Sequence, residues 1–421
     1  MKTLLRGAAA VMFVGSAVLT TRGAQDSRPS PNDLLKDPLV RAAVESAKAG
    51  EAQTIEDQIR FCEVPAPSFK ETARGDVLRR MFLQLGLGNV RVDKVGNVLG
   101  ERPGAAARPR LVLSAHLDTV FPEDTDVKVK RSGTVLHGPG IGDDCRGLAV
   151  LVATIRALRQ ANVQTPGSIV FVATVGEEGL GDLRGAKQLF KDTLAGEIDR
   201  FVSIDGTGLG ITNVSVGSRR YRVTFKGPGG HSFAAFGLAN PIDAMGRAIA
   251  MIAEFQPPKA PKTTFNVGRV GGGTSVNSIP SDAWMEVDLR SSDAAALAAL
   301  DARFQKAVDA AVADENSRWR TPRMIAVVKE LVGDRPAGST PVTSPIVRTA
   351  QAVHEALGLP IAFGESSTDS NIPMSLSIPA ITIGGGGRGI GAHAAAESYD
   401  TTDSWLGTER ALLLTIALAQ R

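Results

Sequence analysis

The chain has 421 residues, 43% hydrophobic and 22% charged, the composition of a folded protein and not of a disordered, collagenous or coiled-coil one. Lys and Arg exceed Asp and Glu by 47 to 44, but three of those bases, Lys2, Arg6 and Arg22, fall in the first 24 residues, which hold no acid. The rest of the chain is charge-balanced, which argues against nucleic acid or an anionic membrane as partner, and at roughly 100–200 residues per domain its length allows two or three domains.

Residues 1–24 read as a signal peptide. Lys2 and Arg6 precede a charge-free stretch from Gly7 to Thr21, shorter than the roughly 20 residues of a membrane-spanning helix. The pattern predicts an exported protein, periplasmic or extracellular, with no stable membrane anchor after cleavage. Only Cys62 and Cys145 occur, so at most one disulfide can form and stability cannot rest on a disulfide framework. A polar, Pro-containing stretch over 27–33 is expected to be a linker.

Beyond the linker, short apolar runs alternate with helical patterns: Leu111 to Ala115, a helix over 146–161, Ile169 to Thr174, and Phe201 to Ile204. Continuous apolar runs separated by helices predict a mostly parallel sheet covered on both faces. The style changes near residue 213. Tyr221, Val223 and Phe225 alternate with polar residues, as do Met285, Val287 and Leu289, which predicts half-exposed strands. Between them Asn240-Pro241 opens a helix whose expected apolar face is Ile242, Met245, Ile249 and Ile252, and a second helix carries Leu297, Leu300, Phe304, Val308 and Val312. After a Pro- and Gly-rich stretch the first style returns, with a helix over 346–357 and a strand over 380–383. The fold class is therefore α/β, a mostly parallel sheet flanked by helices over 33–212 and 327–421, interrupted by an inserted α+β domain over 213–326.

Five polar motifs stand where this geometry gathers them. His116 and Asp118 follow the strand ending at Ala115, Glu177 and Glu178 follow the strand ending near Val175, Asp205 follows Ile204, His393 lies beyond Ile383, and Asp143 opens a helix. In open parallel sheets, ligands bind beyond the carboxyl ends of the strands. Taken singly, each motif has an ordinary explanation as a solvated loop, surface charge or turn. Together they place two of the chain's five His residues opposite three carboxylate loops. That donor set suits zinc, and in particular two metals about 3.5–4 Å apart.

Ser-Ala-His116-Leu-Asp118-Thr-Val, Gly-Ile-Gly-Asp143-Asp144, Val-Gly-Glu177-Glu178-Gly, Ile-Asp205-Gly and Gly-Ala-His393 resemble, in order and spacing, the motifs of a di-zinc aminopeptidase and carboxypeptidase family. That family includes peptidase T, bacterial glutamate carboxypeptidase, acetylornithine deacetylase and succinyl-diaminopimelate desuccinylase. The match spans essentially the whole mature chain and looks most like peptidase T. The resemblance implies that Asp143 bridges two Zn2+ ions, with His116 and Asp205 completing one site and Glu178 and His393 the other. It makes Glu177 the general base, and Asp118 the group that accepts the second ring N–H of His116. It also implies a cis peptide bond after Asp143. Gly-Pro-Gly-Gly-His231-Ser resembles the segment whose His reaches a neighbouring active site to stabilise the oxyanion, which implies a homodimer formed through the inserted domain acting as a lid.

Asn277 and Arg290 match positions that hold substrate in relatives. Arg290 lies on the polar face of its strand, where it can clamp a carboxylate, though a surface salt bridge with Asp288 or Glu286 is the competing reading. The residue after Asp143-Asp144, usually Lys in the family, is Cys145 here. The loop Ser366-Ser-Thr-Asp369-Ser-Asn371 resembles one that lines the substrate cleft. The expected function is an exported zinc-dependent hydrolase cleaving an amide bond of a small peptide or N-acyl amino acid. A catalytically silent metal- or peptide-binding member is the alternative, against which stands the presence of Glu177. A phosphohydrolase is disfavoured because no Arg or Lys accompanies the motifs.

Overall fold

The computed structural model describes residues 28–319 and 322–421. The proposed signal peptide over 1–24 lies outside the described residues. Residues Pro31–Leu34, which overlap the linker expected over 27–33, form a helical turn because Ser30 and Asp33 cap it reciprocally.

The central sheet orders its strands Gly88–Val92, Val98–Arg102, Ser168–Thr174, Arg110–His116, Arg200–Ile204, Ala380–Ile383, Ile211–Ser215 and Gly338–Ser339, with Phe363–Ser366 pairing beside Ile211–Ser215. Its middle four, from Ser168–Thr174 to Ala380–Ile383, run parallel. They are mostly apolar and buried because they are covered on both faces. In Arg110–His116, Leu111, Leu113 and Ala115 join one buried cluster with the helices Pro38–Ala49, Cys145–Gln160, Pro345–Ala356 and Trp405–Leu418, while Val112 joins another with Leu189, Leu194 and Met374.

The inserted domain is a four-stranded antiparallel sheet in the order Thr263–Gly272, Asp282–Ser291, Gly217–Lys226 and Ala326–Arg335. The helices Pro241–Ala253 and Ala294–Trp319 cover one face, packing on Val223, Phe225, Met285 and Leu289. Its boundaries differ from the expected 213–326. Ile211–Ser215 still belongs to the central sheet, and the whole of Ala326–Arg335 pairs with Gly217–Lys226, so the domain runs from 217 to 335. The Gly and Pro residues near 333–345 mark the strand's end and the return crossing. In Pro241–Ala253 the buried positions are Pro241, Ala244, Met245, Ala248 and Ile252, whereas Ile242 is exposed. The two alanines set the contact face because a small residue lets the helix approach the sheet closely.

A third sheet, of Arg388–Ile390, Ser398–Asp400, Val135–His137 and Lys130–Ser132, joins chain segments more than 250 residues apart. It brings the connection bearing His393 beside the loop bearing Asp143. Among the described residues no helix is long and apolar enough to cross a membrane.

Candidate metal centre

The common direction of the middle strands sends the residues that follow them to one edge. His116 ends Arg110–His116, Glu177 and Glu178 follow Ser168–Thr174 after a short turn, and Asp205 follows Arg200–Ile204. Asp143 precedes helix Cys145–Gln160, joined by a cis peptide bond to Asp144, the helix N-cap. His393 comes from between Arg388–Ile390 and Ser398–Asp400.

These side chains converge. His116 Nε2 lies 3.0 Å from Asp143 Oδ1, and His393 Nε2 lies 3.2 Å from Asp143 Oδ2 and 2.9 Å from Glu178 Oε1. Two sets of three ligand atoms result, His116 with Asp143 and Asp205, and Asp143 with Glu178 and His393. Within each set all atoms lie within 4.8 Å of one another, and Asp143 belongs to both. Each set offers two carboxylates and an imidazole, and the shared carboxylate is the element a pair of divalent cations requires. The donor set therefore fits two borderline divalent metals. His116 with Glu177 and Glu178 meets the same distance limit, so Glu177 stands at the margin of the cluster.

The electrostatics follow from packing four acids, Asp143, Glu177, Glu178 and Asp205, and two imidazoles into one volume. Burial raises the Asp205 carboxyl well above the ordinary carboxylate range. Burial acts the same way on Asp143, but His116 and His393 overcome it and hold that carboxyl low. His393 is pushed up to about 10 by its hydrogen bonds to Asp143 and Glu178. Burial opposes a charge on His116, yet Asp144 and its hydrogen-bonding neighbours raise it well above the usual imidazole range. Glu177 is pushed up to about 8 by burial, against the pull of Arg335. A field this negative selects cations.

Buried polar groups hold the ligand loops in place. Asp118, fully buried, accepts from the amides of Glu177 and Glu178 at 2.9 Å each and from Ser68 Oγ at 2.6 Å. The nearest acceptor to His116 Nδ1 is the Asp118 carbonyl at 3.1 Å, with the carboxylate at 3.5 Å. The Asp118 carboxylate expected at that ring N–H therefore shares it with the residue's own carbonyl, while its two oxygens also accept from the Glu177–Glu178 turn. Asp144 accepts from the amides of His116 at 3.0 Å and Gly147 at 3.1 Å. Glu397 accepts from Gly140 at 2.9 Å and Gly142 at 2.8 Å, cradling the loop that presents Asp143. Arg335, 4% exposed, donates to Glu177 Oε1 at 3.1 Å and also to the Glu177 carbonyl. Cys62 and Cys145 are buried free thiols beside Leu136, Ile141 and Tyr399.

The inserted-domain residues stand apart from this cluster. His231 is exposed, and its Nδ1 accepts from the amides of Phe233 at 3.2 Å and Ala234 at 3.3 Å. Asn277 lies beside it, its carbonyl accepting from the Ser232 amide at 2.9 Å, where Gly230–His231 pairs with Ser278–Ile279. No hydrogen bond or ion pair among the described residues joins either to the metal ligands. Arg290 donates through Nε to Asp288 Oδ2 at 2.6 Å, so in this structure the salt bridge prevails over a free clamp. Asp144, Glu397 and Arg335 were not singled out from sequence. An Asp before an apolar helix was a usable signal for the first; the other two act across 255 and 158 residues and leave no local trace.

A sequence profile of peptidase family M20/M25/M40 matches residues 112–418. The Bacillus subtilis protein YqjE is 26% identical over 64% of this chain and 74% of its own length. Carboxypeptidase G2 of Pseudomonas is 28% identical over 52% of this chain and 54% of its own, so the chain spans about half of that relative. Among solved structures, the aminopeptidase PepT of Bacillus cereus superposes with a TM-score of 0.70 at 21% identity, covering 88% of this chain and 99% of that one. YXEP of Bacillus subtilis, described as a dinuclear metal binding peptidase, gives 0.65 at 18%, covering 88% and 98%. At these identities the structural likeness establishes the fold.

Proposed function

We propose that this chain, which belongs to the peptidase M20/M25/M40 family, is an exported zinc-dependent hydrolase that cleaves an amide bond of a small peptide or N-acyl amino acid. The observation that carries this reading is the pair of three-ligand sets sharing Asp143, with Glu177 buried at their margin. The names of the relatives, a carboxypeptidase and an aminopeptidase among them, agree with amide-bond chemistry.

His116, Asp143 and Asp205 would hold one zinc, and Asp143, Glu178 and His393 the other. Bound zinc supplies Lewis acidity, polarising a carbonyl and making water acidic near neutral pH. Glu177 takes a proton from the attacking water and passes it to the leaving nitrogen. Glu177 belongs to neither ligand set that shares Asp143, whereas its neighbour does, with Glu178 Oε1 facing His393 at 2.9 Å. Asp118 fixes both residues by gripping their amides. His231 contributes from a second subunit: amide donors occupy its Nδ1, so the neutral ring carries its proton on Nε2 and presents it to a developing oxyanion. This makes the active form a homodimer joined through the inserted domain. Asn277 and Arg290 contact substrate, Arg290 after exchanging Asp288 for a substrate carboxylate. The basic, then apolar first 24 residues support export.

Purified protein analysed for metal and assayed on dipeptides, tripeptides and N-acyl amino acids, with and without chelator, tests the reading. Two equivalents of zinc and chelator-sensitive hydrolysis are expected. Metal-free protein that regains no activity with zinc on any member of the panel would sink it. N-terminal sequencing of the mature protein tests export, with a start shortly after residue 24 expected.

A further inference from the structure

We propose that Arg335 is the positioning residue for Glu177, and that through it the orientation of the inserted domain sets the aim of the base. This rests on the assignment of Glu177 as general base made above.

Arg335 ends the last strand of the inserted domain, Ala326–Arg335, opposite Ser218 near the start of the first, Gly217–Lys226. The two crossings between the domains therefore lie side by side. They are close-packed: a Cβ on Gly217 would sit 2.5 Å from the Ala337 nitrogen. Asn371 ties them together, its Nδ2 donating to the Val216 carbonyl at 2.9 Å and the Pro336 carbonyl at 3.0 Å. Arg335 thus stands at the hinge itself.

From the hinge its guanidinium reaches the catalytic domain. Nη1 donates to Glu177 Oε1 at 3.1 Å and to Ser367 Oγ at 3.0 Å, and Nη2 donates to the Glu177 carbonyl. One guanidinium thereby fixes the Glu177 side chain relative to its own backbone. A glutamate otherwise has several rotamers to lose, and a base out of place by about 1 Å is enough to cost about 100-fold in rate. Two more contacts join the same segments: the Asp334 amide donates to Asp182 Oδ1 at 2.9 Å, and Arg220 Nη1 to the Gly179 carbonyl at 2.6 Å. Asp118 holds the amides of both Glu177 and Glu178, but the Glu178 side chain faces His393 at 2.9 Å, within the catalytic domain, whereas the Glu177 side chain takes its contact from Arg335. A rotation of the inserted domain about its hinge therefore moves the Glu177 carboxylate while leaving the metal ligand Glu178 where it is. A buried cation at this position that served packing alone would not need to spend two donors on one residue.

The test uses the full mature chain loaded with zinc and the best-cleaved member of the panel above. In Arg335→Gln, kcat is expected to fall about 100-fold with KM little changed, and two zinc ions to remain bound. Arg335→Lys keeps the charge without the fork and should stay impaired. In Arg335→Ala, added guanidinium ion should restore part of the lost kcat. A crystal structure of zinc-loaded Arg335→Gln should show the Glu177 carboxylate turned from its present position with Glu178 unmoved. An unmoved Glu177 would overturn the proposal, as would a raised KM at unchanged kcat, which would make Arg335 a substrate-binding residue. Glu177→Gln separates the two readings. Near wild-type turnover in that variant defeats the base assignment itself, whereas lost turnover there beside wild-type kcat in Arg335→Gln defeats only the role of Arg335.

Discussion

His116 and His231 are each fixed through one ring nitrogen by nearby backbone, yet their surroundings are opposite. His116 is 1% exposed, with Asp118, Asp143 and Asp144 around it, whereas His231 stands in solvent on the inserted domain. The first environment is finished within one chain: buried acids hold the amides of two ligand loops, Asp118 for Glu177 and Glu178, Glu397 for the Asp143 loop. The second holds its imidazole in one tautomer and offers the other nitrogen outward with nothing to receive it among the described residues. A preorganised metal cluster and an incomplete donor patch on one chain are what an enzyme needs if its site is completed by closure or by a second subunit.

The largest effect that separates the two regions is at Glu177. Glu177→Ala should lower kcat by about 10²–10⁴-fold while metal content stays near that of the unmodified protein, because Glu177 belongs to neither set sharing Asp143. His116→Ala should lose metal as well as turnover. If Glu177→Ala lost metal and activity together, the carboxylate would be a ligand, and the His116–Glu177–Glu178 grouping would be the true one.

Next comes His231. Removing one oxyanion donor costs on the order of 10²–10³-fold in kcat, and His231→Ala should show such a loss without change in metal content. Mixing inactive His231→Ala with inactive Glu177→Ala discriminates further. Heterodimers pair an intact cluster with an intact His231 from the other chain, so activity should reappear as subunits exchange. A mixture that stays inactive while heterodimers form would place His231 in its own subunit's chemistry, or in none.

A smaller effect lies one step behind the ligands. Glu397→Gln keeps the shape of the side chain but weakens its acceptance of the Gly140 and Gly142 amides, so the Asp143 loop loses part of its cradle. Support of this kind is worth about 10–100-fold in metal affinity. Competition titration against a chelator measures it, and unchanged affinity would show that the cis Asp143-Asp144 loop needs no help from Glu397.

The contrast between the regions also explains what could be read in advance. Strand-following motifs are local in sequence: an apolar run states the strand, and the polar residue after it is the one delivered to the sheet edge, as with His116 and Asp205. The inserted domain's helices announced themselves by the Asn240-Pro241 cap and the stripe from Leu297 to Val308. What escaped is what depends on contact between distant segments. The return crossing at residue 335 was hidden because Ala326–Arg335 carries only a weak alternation and ends among Gly and Pro. Ala244 and Ala248 share the buried face of helix Pro241–Ala253 with Met245 and Ile252, with Ile249 partly buried against the same core, and a stripe read by side-chain size does not reveal such small contact residues. Glu397 and Arg335 look like ordinary surface charges until folding buries them.

The smallest expected effect tests whether the inserted domain can be weakened without disturbing the cluster. Asn240 Oδ1 accepts from the Ile242 amide at 2.9 Å, satisfying one of the free donors that begin helix Pro241–Ala253. Its own amide donates to Glu315, a contact that survives replacement by Ala. Asn240→Ala should therefore destabilise the protein by about 1 kcal/mol, read by denaturant titration, with metal content and chelator resistance unchanged. Glu315 is fully buried and gathers Arg247 Nε at 3.2 Å and Trp319 Nε1 at 2.9 Å, so truncating it leaves several donors unpaired and should cost more than the cap. Equal losses would mean that the helix start, and not this buried carboxylate, holds the two helices of the inserted domain together. A fall in metal affinity in either variant would show that the two regions are coupled in the ground state, through the hinge at which Arg335 meets Glu177.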